Sequence, residues 1–493
     1  MKKYINIVLS CFILLLATAC NDYLDLKPST SVIDEGVSMK SLTDVNARLN
    51  GVYSQMRTFE YYGARMTYYG DVCGDDMQSV ATGKRTTDFY QFTFNKTNAP
   101  SNFWSKCYSI IKNANIILAG IDLVPTTTDA EKATLADYKG QALTLRALAH
   151  FDLTRLYGYP YAKDHGASYG VPIIDTPVEA YYVPSRNTVA ECYAFVIKDL
   201  DDASKLMKGT KNNGHFTKWA TLSLLSRAYL YRGDDALGDN TNALQTAKEA
   251  IAGAESNGVK LWTAAEYKTA WAAEFSGEVL FELPVITGEG PGNDGIAYLV
   301  APRGYDDLVI SDDWIVKLMG DQKTDIRYTC MIKTPLPTSK AGTRYVWKYP
   351  VQPDESADAL NLGNIKVLRL SETYLIAAEA AAKLGANDDA VKYLNAISTR
   401  GLAANNFTGK TVTLDDVLTE RRKELIGEGH RFFDAIRNHK HIVRSKDNKY
   451  AHLVGIDPGA WDFDWDYFKV VLAVPVHETD LAGIVSEQQN PGY

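Results

Sequence analysis

The sequence predicts a mostly α-helical protein in which tetratricopeptide-like helical hairpins form a scaffold and long irregular, aromatic-rich insertions interrupt it. Two observations carry this reading. Apolar residues recur at three- and four-residue steps in several long windows, the stripe of an amphipathic helix. Between those windows run four tracts rich in Gly, Pro, Asp and Tyr, each longer than the roughly fifteen structureless residues that a compact domain ordinarily tolerates. Thirty tyrosines and eight tryptophans argue against disorder, which is poor in aromatic residues. At 493 residues, 46% hydrophobic and 23% charged, the chain has apolar material for one large core or two to three smaller ones.

The N-terminus reads MKKYINIVLSCFILLLATA before Cys20. Two lysines, a short apolar run and small residues make a secretory signal, and the run is too short for a membrane span. A small-residue stretch ending at a cysteine is how bacterial lipoprotein signals present the residue that becomes lipidated. Residues 1–19 are therefore read as a lipoprotein signal and Cys20 as the lipidation site, with ordinary signal cleavage as the alternative. Two of the 52 basic residues and none of the 60 acidic ones lie in that signal, so its removal takes the formal charge from −8 to −10. Nucleic acid is not expected as a partner. Cys73, Cys107, Cys192 and Cys330 are widely spaced, without CxxC or cysteine–histidine clustering. Two disulfides and isolated buried thiols both fit.

The first clear helix is Gln141 to Gly158, where Leu145, Leu148, Ala149, Leu153 and Leu156 form one stripe, and Gly158 and Pro160 stop it. Thr217 to Asp234 and Leu370 to Asp388 are similar. Set side by side, RAYLYRGD (Arg227 to Asp234) and AEAAAKLGAND (Ala378 to Asp388) share a small-residue helix end, a Gly and a polar turn. Each precedes an Ala-studded helix, from Ala243 and Ala390. These are the ingredients of a tetratricopeptide-like hairpin, and such hairpins stack because one alone cannot bury its apolar face. The irregular tracts are Tyr61 to Pro100, Gly158 to Arg186, Glu282 to Leu308 and Thr334 to Ile365.

Eight segments in order then resemble one family. They are CNDYLDLKP (Cys20 to Pro28), FWSKCYSIIKNANIIL (Phe103 to Leu118), LRALAHFDLTRLYGYPY (Leu145 to Tyr161), TKWATLSLLSRAYLYRGD, LRLSETYLIAAEA (Leu368 to Ala380), LNAISTRGL (Leu394 to Leu402), ERRKELIGEGHRFFDAIR (Glu420 to Arg437), and LAVPVHETDLAGIVSEQQNPGY (Leu472 to Tyr493). Together they resemble the SusD-like (RagB/SusD) outer-membrane lipoproteins of Bacteroidetes. The resemblance implies one helical unit over 20–493, with an N-terminal half (20–235) carrying tetratricopeptide-like helices and a C-terminal RagB/SusD half (236–493). It also implies lipid anchoring at the outer membrane facing the cell exterior. The implied role is capture of a glycan and its handover to a TonB-dependent, SusC-like transporter over which the protein sits as a lid. No cofactor and no enzymatic activity are implied.

The segment around EGHRFFD concentrates Glu424, Glu428, His430, Arg431, Asp434 and Arg437, which looks like an acid–base site. At 100° per residue the apolar side chains fall on one face and the charges on the other, while Gly427 and Gly429 interrupt the helix. Glu428, His430, Arg431 and Asp434 are therefore read as a structural network, with no catalytic residue assigned. The stretch FDWDY (Phe463 to Tyr467) begins like a calcium loop, but Tyr467 and Ala473 stand where Gly and the bidentate Glu are needed, so no metal ligand is assigned. GxSxG, P-loop and dinucleotide fingerprints are missing.

Sugar binding calls for flat aromatic rings flanked by carboxylates, amides and arginines, because a pyranose has an apolar face and a hydroxyl rim. Two insertions have that chemistry. The first supplies Tyr68, Tyr69, Asp75, Asp76, Arg85, Asp88 and Tyr90; the second supplies Asn293, Asp294, Tyr298, Arg303 and Tyr305. Trp104, Tyr108 and Trp219 lie in helical segments and are read as scaffold. Three other readings stay open: peptide cargo on the same fold, a glycoside hydrolase using two carboxylates, and a lid without a cargo site.

Overall fold

The computed structural model describes residues 39–493 except 101, 180–181, 286–287, 303, 334–344, 350–362, 445–454 and 481–485. The signal and Cys20 lie outside the described residues. Most of the long helices begin at a hydroxyl that caps free backbone N–H groups. Ser41 caps α1 (Leu42–Met56), accepting from the Asp44 N–H. Next come α2 (Arg65–Val72), α3 (Asn102–Gly120), and α4 (Asp129–Tyr157), which opens with a reciprocal capping box between Thr128 and Glu131. The same device, Thr188 with Glu191, starts α5 (Val189–Leu206). Thr217 caps α6 (Lys218–Arg232), and Gly233 ends it. Then follow α7 (Asp239–Ser256), α8 (Leu370–Lys383), α9 (Asn387–Gly401), α10 (Leu414–Glu424, with Thr413 and Asp416 as its box) and α11 (Arg431–Arg437).

The repeat seen in the sequence is two stacked hairpins: α6 packs on α7, α8 on α9, and α7 on α8. Alanines make the close approach possible, since Ala243, Ala247, Ala250 and Ala254 of α7 and Ala377, Ala378, Ala380 and Ala381 of α8 are all fully buried. Helices α4 and α5 extend the stack on the other side of α6. A mostly α-helical fold is therefore correct. One apolar cluster runs from Met39 to Val474, so side chains on both sides of position 235 share it. Among the described residues no helix is long and apolar enough to cross a membrane. Cys73, Cys107 and Cys192 are buried free thiols, and the Cys330 side chain lies outside the described residues.

Helix α4 stops at Gly158 as the sequence indicates but starts at Asp129, well before Gln141, because its capping box lies in a polar stretch without an apolar stripe. The tract Tyr61 to Pro100 is more regular than expected: it holds α2, strand β1 (Met77–Ser79) and a helical turn, Thr87–Gln91. Gly70 sits inside α2. A Cβ there would lie 2.0 Å from the Gly429 carbonyl oxygen, so Gly70 serves close packing. Gly429 itself has φ 80°, in the loop that separates α10 from α11 as the sequence predicts.

Strands are short and pair two by two. Strand β2 (Val279–Leu283) pairs antiparallel with β6 (Ile365–Arg369), β3 (Leu308–Ile310) with β1, β4 (Ile332–Lys333) with β5 (Tyr345–Val346), and β7 (Ile442–Val443) with β8 (Asp462–Phe463).

Candidate ligand-binding site

The β1–β3 pair joins the two aromatic insertions, with Met77 opposite Ile310 and Ser79 opposite Leu308. The carbonyl of Asp307 accepts from the Val80 N–H (3.1 Å), the Thr86 hydroxyl (3.1 Å) and the Ser79 hydroxyl (3.4 Å). That clamp brings the loop after β1 under the loop before β3. The second loop is closed on itself, because the Tyr305 N–H donates to the Tyr298 carbonyl at 2.9 Å. The turn requires glycine at 304, where a Cβ would stand 2.0 Å from the Tyr298 oxygen.

At the surface this produces a composite patch. The Arg85 guanidinium lies 3.6 Å from the Tyr305 ring centroid, and its Nε donates to Asp294 Oδ1 at 3.0 Å. Tyr298 meets Tyr305 edge to face, centroids 4.8 Å apart at 70°. Tyr298 and Trp347 pack together on Ala301. Beneath the patch, Lys84 Nζ donates to the Tyr305 carbonyl and stands 3.4 Å from Asp307 Oδ1. Burial raises the Asp307 carboxyl above its ordinary value, against the pull of Lys84 and Arg85. Arg85 and Asp294 keep 36% and 49% of their side chains exposed, and Tyr298 and Tyr305 are half-buried. Such a patch offers guanidinium donors, a carboxylate acceptor and aromatic surface within one small area, held by a rigid turn. Asn293 is exposed next to Asp294, in the turn Gly292–Asp294. Arg303 lies outside the described residues.

The tyrosines and the Asp75–Asp76 pair of the first insertion face inward, which corrects the expectation of a platform there, while Asp88 is exposed and accepts from the Thr93 hydroxyl at 3.1 Å. Tyr68, Tyr69 and Tyr90 are 1%, 0% and 3% exposed and cannot stack on an external ring. Tyr69 is enclosed by Phe89, Phe103, Phe432 and Phe433. Tyr90 lies under Arg444, whose guanidinium is 4.4 Å from its centroid. Asp76 is buried and Asp75 partly buried against arginines of the C-terminal half. Arg431 binds Asp75 through two bonds (2.5 and 3.0 Å), and Arg422 binds Asp76 (Nε at 3.1 Å). Burial opposes charge on Asp75, but the Arg431 and Arg422 guanidiniums outweigh it and hold the carboxyl down at about 2. Of the first set only Arg85 reaches the patch. Trp347 was missed; its one signal was a tryptophan within the tract Thr334 to Ile365.

The charged residues around EGHRFFD are buried or nearly so, and most pair with side chains of other elements. Glu428 binds Arg369 (two contacts of 2.7 Å) and Lys348. Asp434 accepts from Arg421 (2.7 and 3.0 Å) and Arg437 (2.7 Å). His430 Nδ1 is 3.7 Å from Glu372, which Arg227 already engages. Burial lowers His430 to about 4, so it is neutral at pH 7. Glu428, Arg431 and Asp434 are each fixed to a partner on another element, the arrangement of a packing network, and His430 is enclosed beside them.

Comparison with known proteins agrees with this architecture. Residues 22–230 match the SusD-like family described as starch-binding and associating with the outer membrane, and residues 328–493 match the SusD family. A crystal structure of a Bacteroides vulgatus ATCC 8482 protein shares 43% identity over 92% of this chain and 99% of its own, with TM-score 0.84. A SusD superfamily protein of the same organism shares 38% identity over 92% and 100%, with TM-score 0.83. The SusD-like protein P38 of Formosa agariphila is 24% identical over 90% of this chain and 93% of its own length. The Asn293–Tyr305 half of the patch falls between the two matched stretches. With helical hairpins, the buried EGHRFFD network and these similarities in hand, the chain belongs to the SusD family.

Proposed function

We propose that this protein is a non-enzymatic glycan-binding lipoprotein, anchored through Cys20 at the outer membrane and facing the cell exterior. It captures oligo- or polysaccharide and passes it to a TonB-dependent, SusC-like transporter, over which it acts as a lid. The mature unit is 20–493. The family's description as starch-binding and outer-membrane-associated supports the setting. The observation that carries the reading is the convergence of Arg85 with Asp294, Tyr298 and Tyr305 from two separate insertions. A shallow patch of this kind buries little ligand, so binding is modest and its benefit is concentration at the transporter mouth.

A hydrolase reading would look first to the adjacent carboxylates Asp75 and Asp76. Asp75 is engaged by Arg431 and Asp76 by Arg422, which favours binding over catalysis. The test is affinity electrophoresis of the protein lacking residues 1–19, in native gels cast with plant, host and microbial polysaccharides. Retardation by one of them, lost in Tyr305→Ala, supports the proposal and names the cargo class. Uniform mobility in every gel turns the reading toward peptide cargo or a lid without a site.

A further inference from the structure

The hairpin β7–β8 gathers a second set of side chains far from the aromatic patch in sequence. Its register pairs Ile442 with Phe463 and Val443 with Asp462, and continuing it sets His441 opposite Asp464. His439 Nε2 lies 3.0 Å from Asp464 Oδ2, and His441 Nε2 lies 3.6 Å from the same oxygen. His441 Nδ1 also contacts Asp462 at 2.6 Å. One donor atom from each of His439, Asp464 and Asp466 falls within 4.8 Å of the others. FDWDY fails as a calcium loop because its later ligands are missing. In three dimensions an imidazole from the neighbouring segment stands where the loop itself supplies nothing.

These donors are positioned by groups that do not compete for a metal at His439 or Asp464. The Trp465 ring lies flat on the His439 imidazole, centroids 3.8 Å apart and planes 9° from parallel, fixing its orientation. The Asp466 N–H donates to Asp464 Oδ1 at 2.9 Å, leaving Oδ2 toward the histidines. Lys163 Nζ donates to the Trp465 carbonyl at 2.6 Å and stands 3.1 Å from Asp466. It ties the loop to the helical turn Tyr161–Asp164. The cluster is open to solvent, with half of the His439 side chain exposed, so an ion has a path in.

We propose that His439, Asp464 and Asp466, with His441 as a fourth donor, form a binding site for a divalent transition metal of the Zn²⁺ class. Imidazole nitrogen favours such ions over Ca²⁺ and Mg²⁺, which take oxygen. Zinc bonds to nitrogen and carboxylate oxygen of about 2.0–2.2 Å put tetrahedral donors roughly 3.4 Å apart, so His439, Asp464 and Asp466, within 4.8 Å of one another, need to close by at most about 1.4 Å. The ion takes over part of the role of Lys163 at Asp466 and staples the two segments of the hairpin together.

The experiment is calorimetric titration of ZnCl₂ into the purified full chain after EDTA treatment and dialysis, with thermal unfolding in parallel. One saturable site is expected, weakened at least tenfold by His439→Asn and by Asp466→Asn, with the unfolding temperature raised by Zn²⁺ in the unsubstituted chain alone. His439 has φ 49°, a conformation that asparagine tolerates, and Asp466 is 74% exposed, so both variants are expected to fold. Coincident metal-free melts establish that they do. No saturable Zn²⁺ heat, undiminished affinity in both variants, or CaCl₂ binding as tightly as ZnCl₂ would overturn the proposal.

Discussion

The two aromatic insertions draw on the same residue types and end in opposite places. In the first, Tyr69 is wholly enclosed and Asp75 is locked to Arg431; in the second, Tyr305 stays half-buried and Asp294 meets an arginine that is itself 36% exposed. What differs is the surface each meets. The first insertion contributes α2, which lies against the Gly429 loop and α11, and the arginines of that region reach across to its carboxylates. The second is held at its base by β3 and the Asp307 clamp and presents its tip outward. Residue type decides which chemistry is possible, and the facing element decides whether a ligand can reach it.

The strongest way to break this comparison is to remove one arginine from each side. Arg431→Ala leaves Asp75 without its two-pronged partner in a buried site, and losing half of a buried pair costs about 3–5 kcal/mol. Arg85→Ala removes an exposed pair with Asp294 and the cation–π contact with Tyr305, and is expected to cost about 1–2 kcal/mol. Urea unfolding midpoints of the two variants measure the difference. Equal, small losses would mean that the first insertion is not the scaffold its burial indicates.

A second contrast lies within the first insertion. Asp71 is buried with no arginine on it, and burial pushes its carboxyl up to about 8; it accepts from the Gly429 N–H at 2.8 Å. Its folded value exceeds the unfolded one, so its contribution is fully present below about pH 4 and is lost as pH rises toward 8. Asp75 is the reverse, contributing above about pH 4 and losing it as pH falls toward 2. Asp71→Asn keeps an acceptor for Gly429 and removes the titration. It should be close to neutral at pH 4 and stabilising on the order of 5 kcal/mol at pH 8. A stability difference that stays flat across that range would contradict a raised Asp71.

Much of the scaffold was legible because helical periodicity and Gly-terminated hairpins are local signals. The break at Gly427 and Gly429, the stop at Gly158 and the stacked hairpins all follow from residues within a few positions of one another. The N-terminal half of α4 was not legible, since its start is a capping box in a polar stretch. The site was half legible. Arg85, Asp294, Tyr298 and Tyr305, singled out by their chemistry, do come together at the surface, but the same chemistry also pointed to the buried Tyr68, Tyr69 and Tyr90. Nothing near those tyrosines in the sequence announces Phe432, Phe433 or Arg444, which cover them from more than three hundred residues away. For the same reason His439 could not be matched with Asp464, 25 residues on.

The smallest expected effect on stability is also the most informative about function. Tyr305 is half-buried; its ring meets the Arg85 guanidinium and the edge of Tyr298 and packs against the margin of the main core. An exposed cation–π contact contributes about 0.5–1 kcal/mol, so Tyr305→Ala should lower stability by about 1 kcal/mol. Its backbone bonds, from Lys84 and to Tyr298, survive the substitution, so the turn stays in place. The variant then has an intact scaffold and a patch without its central ring. Against a retarding polysaccharide it should migrate like the unretarded protein, whereas Tyr69→Phe, altered only in the core, should be retarded as before. If Tyr305→Ala is retarded fully, the ring takes no part in capture, and the exposed insertion is no closer to the ligand than the buried one.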